Sequence, residues 1–154
     1  MLKTIVSVLL IAGLAAPAIA QELTWQKDVR PIVAQKCLIC HGPNAPEYND
    51  WMLHGNEKRA TDPSRMDTYP HFMSYVVWPA TGAMMRRLDN GKSTGGKPGN
   101  MYPFLGVNDE ERAKNLKTIQ DWLGNGAWNL NRWKARGDVP GVTKEQLEKI
   151  KAKY

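Results

Sequence analysis

The clearest hydrophobic pattern in the first third of the chain predicts a helix over residues 24–35. Val29, Ile32 and Val33 recur at helical spacing, and basic side chains occupy the opposite side. Pro31 either begins the regular part of this helix or kinks it, because proline fits a first helical turn but not a helix interior. The residues from position 37 onward would then lie on the last turns of the helix.

A second helix is predicted from a start signal and an apolar stripe late in the chain. Asn108 can cap this helix and Glu111 can close the capping box, while three consecutive acidic residues favour the positive end of the helix dipole. Glycines after position 123 end the helix. Its apolar face consists of Leu116, Ile119 and Leu123.

The pattern between these two helices predicts short helices joined by long loops. Residues 69–78 and 80–88 form two candidate helices, each bounded by proline or by Asn-Gly. Residues 57–67 are polar without periodicity and predict a surface connection. Residues 91–100 are rich in glycine, which is typical of a flexible loop or a linker.

A capping box near the end of the sequence predicts an extra C-terminal helix. Thr143 and Gln146 form the box, and the apolar stripe that follows is Leu147, Ile150 and Tyr154. An isolated helix of this length is marginally stable, so we expect it, with Trp128 and Trp133, to pack on the rest of the protein. Together these patterns predict an all-α fold.

The N-terminal segment has the pattern of a secretory signal peptide. Lys3 precedes an apolar run over residues 5–16, and Ala18-Ile19-Ala20 forms a small-x-small cleavage site. Cleavage there leaves 134 of the 154 residues and lowers the formal net charge from +6 to +5. The run is too short for a membrane anchor, and no later segment is apolar for long enough to span a bilayer. We therefore predict a soluble protein exported to the periplasm.

Residues 37–41 carry the most specific chemical signal in the sequence. Cys37, Cys40 and His41 form the Cys-x-x-Cys-His pattern to which a c-type haem is attached. Each thiol adds across one vinyl group at the porphyrin edge, so the two sulfurs must lie about one helical turn apart. The histidine can then offer its imidazole to the iron as proximal ligand. With only two cysteines in the sequence, this predicts one covalently bound haem c per chain.

Other uses of paired cysteines fit the sequence less well. A thioredoxin-like redox pair begins a helix after a strand, whereas the residues before Cys37 are predicted to be helical. A structural zinc site needs four ligands, and the other histidines, His54 and His71, form no recognisable pair. A disulfide across a two-residue gap is strained. A haem-free thiol oxidoreductase that uses Cys37 and Cys40 stays open as an alternative.

Taken together, these features resemble the class I c-type cytochromes, which are monohaem electron carriers. The resemblance covers an N-terminal helix that leads into residues 37–41, a methionine two residues before a proline, and a capped final helix that bears an aromatic residue. In that family the methionine on the loop before the last helix is the sixth iron ligand. The resemblance therefore implies Met101 as the distal ligand, and it places Trp122 near Val29 or Ile32.

The sequence patterns predict a domain organisation, and the resemblance implies a function. A signal peptide over residues 1–20 precedes a cytochrome c domain over residues 21–126, and residues 127–154 depart from the family pattern as a C-terminal extension that packs on the same domain. The implied protein is an electron carrier and not an enzyme. It moves single electrons between redox partner proteins through a His/Met-ligated haem. A second Cys-x-x-Cys-His, which a dihaem peroxidase needs, is absent from the sequence.

Several side chains compete with Met101 for the sixth position at iron. Met84 and Met85 come next, although adjacent methionines on a short apolar helix are usually core residues. His71 or His54 would give bis-histidine coordination and a lower reduction potential. The methionines in weaker contexts are Met52, Met66 and Met73. An open sixth position would instead make the protein a small-ligand sensor or a peroxidase-like enzyme, which is the alternative function.

Basic residues outnumber acidic ones by 21 to 15, and the sequence pI is about 9.4. If the basic groups rim an exposed haem edge, they steer the protein toward a redox partner with an acidic docking face. An ordinary solvated basic surface is the alternative. Nucleic acid is a poor partner for an exported haem protein. One group precedes the implied ligand (Arg86, Arg87, Lys92, Lys97), and another lies near the C-terminus (Arg132, Lys134, Arg136, Lys144, Lys149, Lys151, Lys153).

Overall fold

A computed structural model of the chain describes residues 22–130 and 142–154. The predicted signal peptide over residues 1–20 lies outside these residues, as do Arg132, Trp133, Lys134 and Arg136 of the C-terminal region. Within the described residues the regular structure is helical throughout, which confirms the all-α prediction. No helix in these two ranges has the length and hydropathy needed to cross a membrane.

Most of the helices are one or two turns long. The N-terminal region contains a π-helical segment, Trp25–Val29, followed by α1, Arg30–Lys36, and α2, Leu38–His41. The middle contains α3, Tyr48–Leu53, α4, Asn56–Thr61, α5, Tyr69–Met73, and α6, Ala83–Leu88. A 3₁₀ segment, Tyr102–Leu105, leads to the long helix α7, Asp109–Leu123. A second 3₁₀ segment, Ala127–Asn129, and α8, Lys144–Leu147, complete the order.

The N-terminal helical region begins where the sequence predicted it. The Thr24 hydroxyl caps the first turn by accepting a hydrogen bond of 3.2 Å from the backbone N–H of Lys27. Pro31 lies in the first turn of α1, a position that suits proline. Val29 and Val33 are buried. The apolar stripe therefore faces the core as predicted.

Helix α7 starts where the sequence predicts, but its capping box differs from the predicted one in the donor to Glu111. The Asn108 side chain accepts a hydrogen bond from Glu111 N at 2.8 Å. The Glu111 carboxylate accepts from Val107 N at 2.7 Å, one residue before the expected donor, and it also pairs with Lys36 Nζ at 2.6 Å. This ion pair ties the start of α7 to the end of α1. The predicted apolar face, with Trp122 added, is buried: Leu116, Ile119, Trp122 and Leu123.

Aromatic rings form the part of the core where the N-terminal helical region meets α7. The ring centroid of Trp122 lies 5.9 Å from that of Trp25 and 5.9 Å from that of Phe72. Trp25 and Phe72 are 5.1 Å apart, and all three rings are buried. Trp122 thus packs on Trp25, which belongs to the same π-helical segment as Val29, one of the two residues near which the family resemblance placed it. Val29 belongs to the same core.

The helices predicted over residues 69–78 and 80–88 are shorter in the structure. Helix α5 ends at Met73, and α6 begins after Gly82, whose φ of +69° suits glycine. Between them the carbonyl oxygens of residues 74–76 accept hydrogen bonds from backbone N–H groups of residues 80–84, at 2.8 to 3.0 Å. The chain therefore folds back on itself instead of continuing a helix.

The polar stretch over residues 57–67 is not a structureless connection. Helix α4, Asn56–Thr61, occupies its first half. The second half contains Ser64, which is buried. The first half lies mostly at the surface, as predicted, but periodicity of apolar residues did not reveal the short polar helix or the single buried serine.

The C-terminal helix is capped as predicted but is only one turn long. Thr143 and Gln146 form the capping box, and α8 ends at Leu147. Leu147 is 48% exposed and Tyr154 is 62% exposed, so the predicted apolar stripe does not form. Only Ile150 of that stripe packs against the core.

Backbone pairing with two other elements explains why the C-terminal helix stops. Lys151 N and Ala152 N donate to the carbonyls of Leu123 and Trp122 at the end of α7, at 2.8 Å and 3.0 Å. The carbonyl of residue 153 accepts from the Trp122 indole N–H at 2.8 Å and from the backbone N–H of Trp25 at 2.8 Å. These backbone groups lie at helix ends: the two carbonyls at the end of α7 and the N–H of Trp25 at the start of the N-terminal helical region. Such groups have no hydrogen-bond partner within their own helix. The tail reaches them only by leaving the helical conformation.

Replacing Trp25 with alanine is expected to destabilise the haem-loaded protein by about 3–5 kcal/mol, because it leaves a cavity at the aromatic contact with α7. The denaturant midpoint measures this change. Trp78→Ala is the matched control, since Trp78 is 75% exposed, and we expect it to change stability by no more than about 0.5 kcal/mol. Equal losses in the two variants would contradict the placement of Trp25 in the core.

Candidate haem site

Cys37, Cys40 and His41 share one helical turn at the end of the N-terminal helical region. Cys37 is the residue that follows the last turn of α1, and its backbone N–H donates to Val33 O at 2.9 Å. The Cys37 carbonyl then accepts from Cys40 N at 3.1 Å and from His41 N at 2.8 Å. Neither cysteine forms a disulfide bond. The two sulfurs are therefore carried one turn apart, as thioether attachment to a porphyrin requires.

The Cys37 thiol lies in surroundings that make it a poor redox nucleophile. Burial raises its pKa to about 11, so the thiol stays protonated at neutral pH. A catalytic Cys-x-x-Cys pair needs a thiolate whose pKa is lowered. Burial of Cys37 therefore disfavours this residue as the nucleophile of a thiol oxidoreductase.

The His41 ring is held by a segment that lies more than twenty residues further along the chain. Its Nδ1 lies 2.6 Å from the carbonyl oxygen of Ser64, and the His41 backbone carbonyl accepts from Met66 N at 2.9 Å. A carbonyl oxygen only accepts hydrogen bonds, so Nδ1 carries the proton and Nε2 keeps its lone pair. Burial lowers the pKa of His41 and outweighs the bond to Ser64, which raises it. The ring is thus a neutral imidazole that can bind iron through Nε2.

Ser64 is positioned in turn by Tyr75, and sequence reasoning identified neither residue. The Tyr75 hydroxyl donates a hydrogen bond to the Ser64 hydroxyl, and both residues are buried. The Tyr75 ring also packs edge-on against Tyr48, with the ring centroids 5.7 Å apart. Ser64 lies in a polar loop with no motif to single it out. It acts on His41 through a backbone carbonyl, which every residue possesses.

Removing the Tyr75 hydroxyl tests this support directly. We expect Tyr75→Phe to destabilise the haem-loaded protein by about 1 kcal/mol, because it removes one buried hydrogen bond and keeps the ring. Denaturant unfolding measures the loss. Tyr154→Phe is the matched control, because Tyr154 is 62% exposed. If both variants unfold at the wild-type midpoint, the Tyr75 hydroxyl does not support the segment that holds His41.

Met101 lies at the start of the 3₁₀ segment that leads to α7, and its side chain is partly buried against the core. Met101 N donates to Arg87 O at 2.9 Å, and Gly99 N donates to Asp89 O at 2.8 Å. A Cβ at Gly99 would collide with the carbonyl oxygens of Arg86 and Arg87, so only glycine allows this close approach. The backbone before Met101 is thus held tightly against the end of α6.

The two histidines outside the haem motif lie in different surroundings. His71 is engaged at both ring nitrogens: Nδ1 lies 3.0 Å from Asp67 Oδ1, and Nε2 lies 2.9 Å from Glu47 Oε2. One of these contacts would have to break before His71 could bind iron. His54 is partly buried, and its Nδ1 lies 4.0 Å from Asp62 Oδ2, which is too far for a hydrogen bond.

The remaining methionines differ in their exposure. Met84 and Met85 are buried on α6 within the hydrophobic core, a location typical of core residues. Met66 and Met73 pack against that core and are partly buried. Met52 is exposed, with its sulfur 3.4 Å from an Nη atom of the nearby arginine at position 59.

A family model described as PccH Cytochrome c matches residues 24–154. The chain belongs to the PccH cytochrome c family. It is also similar to a solved structure, that of the monohaem cytochrome PccH from Geobacter sulfurreducens, with a TM-score of 0.72 and 43% sequence identity. The match covers 87% of this chain and 100% of that chain. No curated protein matches the sequence.

Membership of the PccH cytochrome c family confirms the resemblance to monohaem c-type cytochromes. One haem c is bound covalently, and proteins of this family are generally electron carriers. The residues of this chain fit that group. Two cysteines one turn apart that form no disulfide, and a neutral imidazole that offers Nε2, are the groups that covalent attachment and iron ligation require.

Proposed function

We propose that this PccH family cytochrome is a periplasmic carrier that moves single electrons between redox partners through a haem ligated by His41 and Met101. The observation that carries the proposal is the hydrogen bond of 2.6 Å from His41 Nδ1 to the Ser64 carbonyl. It holds the ring as a neutral ligand on the same turn as the two thiols. The periplasmic location rests on the signal peptide pattern of residues 1–20.

Each proposed site residue has a defined task. Cys37 and Cys40 hold the haem through thioether bonds, and His41 binds the iron on the proximal side. Met101 binds on the distal side, and a thioether ligand favours ferrous iron and raises the reduction potential. The haem supplies the one-electron couple. Backbone carbonyls accept hydrogen bonds from the His41 ring and from Met101 N, so little rearrangement accompanies electron transfer.

We propose that redox partners dock through an acidic face onto the basic group that precedes Met101. Arg87, Lys92 and Lys97 are exposed there. The 3₁₀ segment and the turn before α7 add two exposed apolar side chains, Phe104 and Val107. Basic charges beside apolar contacts favour a transient complex whose association rate falls as salt concentration rises.

Absorption spectra of the wild-type protein test the function. The protein is measured oxidised and reduced, with and without carbon monoxide. A low-spin spectrum with the weak far-red band of methionine on ferric haem, unchanged by carbon monoxide, supports the carrier. A high-spin protein that takes up carbon monoxide contradicts it and favours a sensor or a peroxidase-like enzyme with an open sixth position.

A further inference from the structure

We propose that Asp89 is a positioning residue that locks the loop carrying Met101 onto the protein, and that Trp128 from the C-terminal extension is its buried partner. The lock makes it harder for the methionine to leave the iron. This inference rests on the proposed function, because it takes Met101 as the distal ligand. Its structural part, the locking of the loop, stands on the geometry alone.

The Asp89 carboxylate is fully buried and is surrounded by donors. Oδ1 accepts from the Trp128 indole N–H at 2.8 Å. Oδ2 accepts from Gly91 N at 2.9 Å and Ser93 N at 3.2 Å, and it lies 3.1 Å from Thr94 Oγ1. A buried carboxylate is costly unless it has such partners. Burial raises its pKa, but these bonds outweigh that effect and lower it, so Asp89 is an anion at neutral pH.

Asp89 binds the loop at both of its ends. Its side chain holds residues 91–94 at the beginning, and its backbone carbonyl accepts from Gly99 N at 2.8 Å at the end. Met101 follows two residues later and is bonded to the carbonyl of residue 87. Residues 92–98 are exposed, so apolar burial does not hold them. The buried anion therefore organises a loop whose composition predicts flexibility.

Trp128 connects this lock to the part of the chain that departs from the class I pattern. It lies on the 3₁₀ segment Ala127–Asn129 and is buried in the hydrophobic core together with Leu130. A charge-assisted hydrogen bond inside the core is stronger than one at the surface. Moving the loop away from the protein removes the contacts of Gly91 N, Ser93 N and Thr94 Oγ1 with this carboxylate. The extension thereby stabilises the loop that carries Met101.

Asp89→Asn tests the lock because an amide cannot accept at both of its polar atoms. Its NH₂ group must face either the Trp128 indole or the backbone N–H groups of the loop. We expect hydrogen exchange of the Gly99 and Met101 amides in the ferrous protein to be about tenfold faster. We also expect imidazole to bind the ferric protein with an apparent affinity about tenfold higher, since it competes with the methionine.

Two further variants keep the test decisive. Thr94→Val removes a hydroxyl that lies 3.1 Å from the carboxylate and also donates to Lys97 O within the loop at 2.6 Å. Because Thr94 is exposed, we expect this variant to fold even if Asp89→Asn does not, and to show changes in the same direction. Tyr69→Phe is the control, because it removes a hydrogen bond of 2.8 Å to Ala152 O, away from the loop. Unchanged exchange in both loop variants, or equal acceleration in Tyr69→Phe, would overturn the lock.

Failure of the ligand assignment is distinguishable from failure of the lock. Amide exchange at Gly99 and Met101 reports loop opening whichever residue binds the iron. If Met101→Ala keeps the methionine band, the proposed ligation is wrong while the exchange data still decide the lock. If Met101 is the ligand and exchange accelerates without a change in imidazole affinity, Asp89 does not control ligand loss and that part of the proposal is overturned.

Discussion

Serine at both Cys37 and Cys40 is expected to abolish covalent haem attachment. The serine hydroxyl lacks the nucleophilic sulfur that adds to the porphyrin vinyl groups, so neither thioether bond forms. Haem staining after denaturing electrophoresis and the intact mass of the purified chain measure the result. We expect no stain and a mass equal to that of the polypeptide alone. The chain also loses a large apolar surface to bury, so little folded protein should accumulate.

Single substitutions and a neighbouring control sharpen this test. Cys37→Ser and Cys40→Ser each leave one thiol, so attachment through a single thioether should give weak staining. Ile39 lies between the cysteines on the same turn and is 91% exposed, so Ile39→Ala should stain like the wild type. Staining of the double variant at the wild-type level would show that Cys37 and Cys40 do not carry the haem.

Alanine at Met101 is expected to open the sixth position at iron. The ferric protein should lose the weak far-red band and become high-spin, and the ferrous protein should bind carbon monoxide. The reduction potential should fall, because the thioether that favours ferrous iron is gone. Absorption spectra and a potentiometric titration measure these changes. A haem stain verifies that attachment is intact in the variant.

Met84→Leu and Met85→Leu are the matched controls for the distal ligand. Both methionines are buried in the core, and leucine replaces methionine there at nearly the same volume. If Met101 is the ligand, both controls keep the far-red band. An unchanged spectrum in Met101→Ala, with loss of the band in either control, would move the distal ligand to α6. If the band survives in all three variants, the distal ligand is one of the remaining methionines, Met52, Met66 or Met73, whereas a low-spin wild-type spectrum without the band would indicate His71 or His54.

Local signals in the sequence predicted the elements in which neighbouring residues decide the structure. The Asn108 cap, the capping box of Thr143 and Gln146, and the apolar face of α7 form from residues within a few turns of each other. The haem motif is local for the same reason, since its chemistry requires two thiols and an imidazole on one turn. Short-range geometry alone specifies such features.

Predictions failed where the backbone found partners outside the local helix. The C-terminal stripe fits a helix, but Lys151 and Ala152 donate to the end of α7 instead. The helix predicted over residues 69–78 stops early because the carbonyls of residues 74–76 accept from residues 80–84. In the C-terminal region the backbone bonds to a distant helix, and after α5 it bonds to a segment that turns back on it. In both regions these bonds replace the intrahelical bonds that the hydrophobic pattern predicted.

The supports of the candidate site could not be predicted for the same reason. Ser64 holds His41 through a backbone carbonyl, and a backbone group leaves no mark on the residue pattern. Asp89 resembles any polar residue at the end of a helix until the fold buries it beside Trp128, 39 positions away. Periodicity and composition describe neighbours along the chain, and these contacts join residues that only the folded chain brings together.

The amino-acid sequence by itself determined the chemistry of this cytochrome: one covalent haem c, a pair of thiols with a histidine beside them, and helices at both ends of an all-α domain. Only the tertiary structure decided how the His41 ring is oriented, what holds the backbone before Met101, and where the C-terminal tail lies. Bonding chemistry depends on residue type and short spacing, which a sequence displays directly. Orientation and restraint depend on buried hydrogen bonds between distant segments, which exist only after the core has formed.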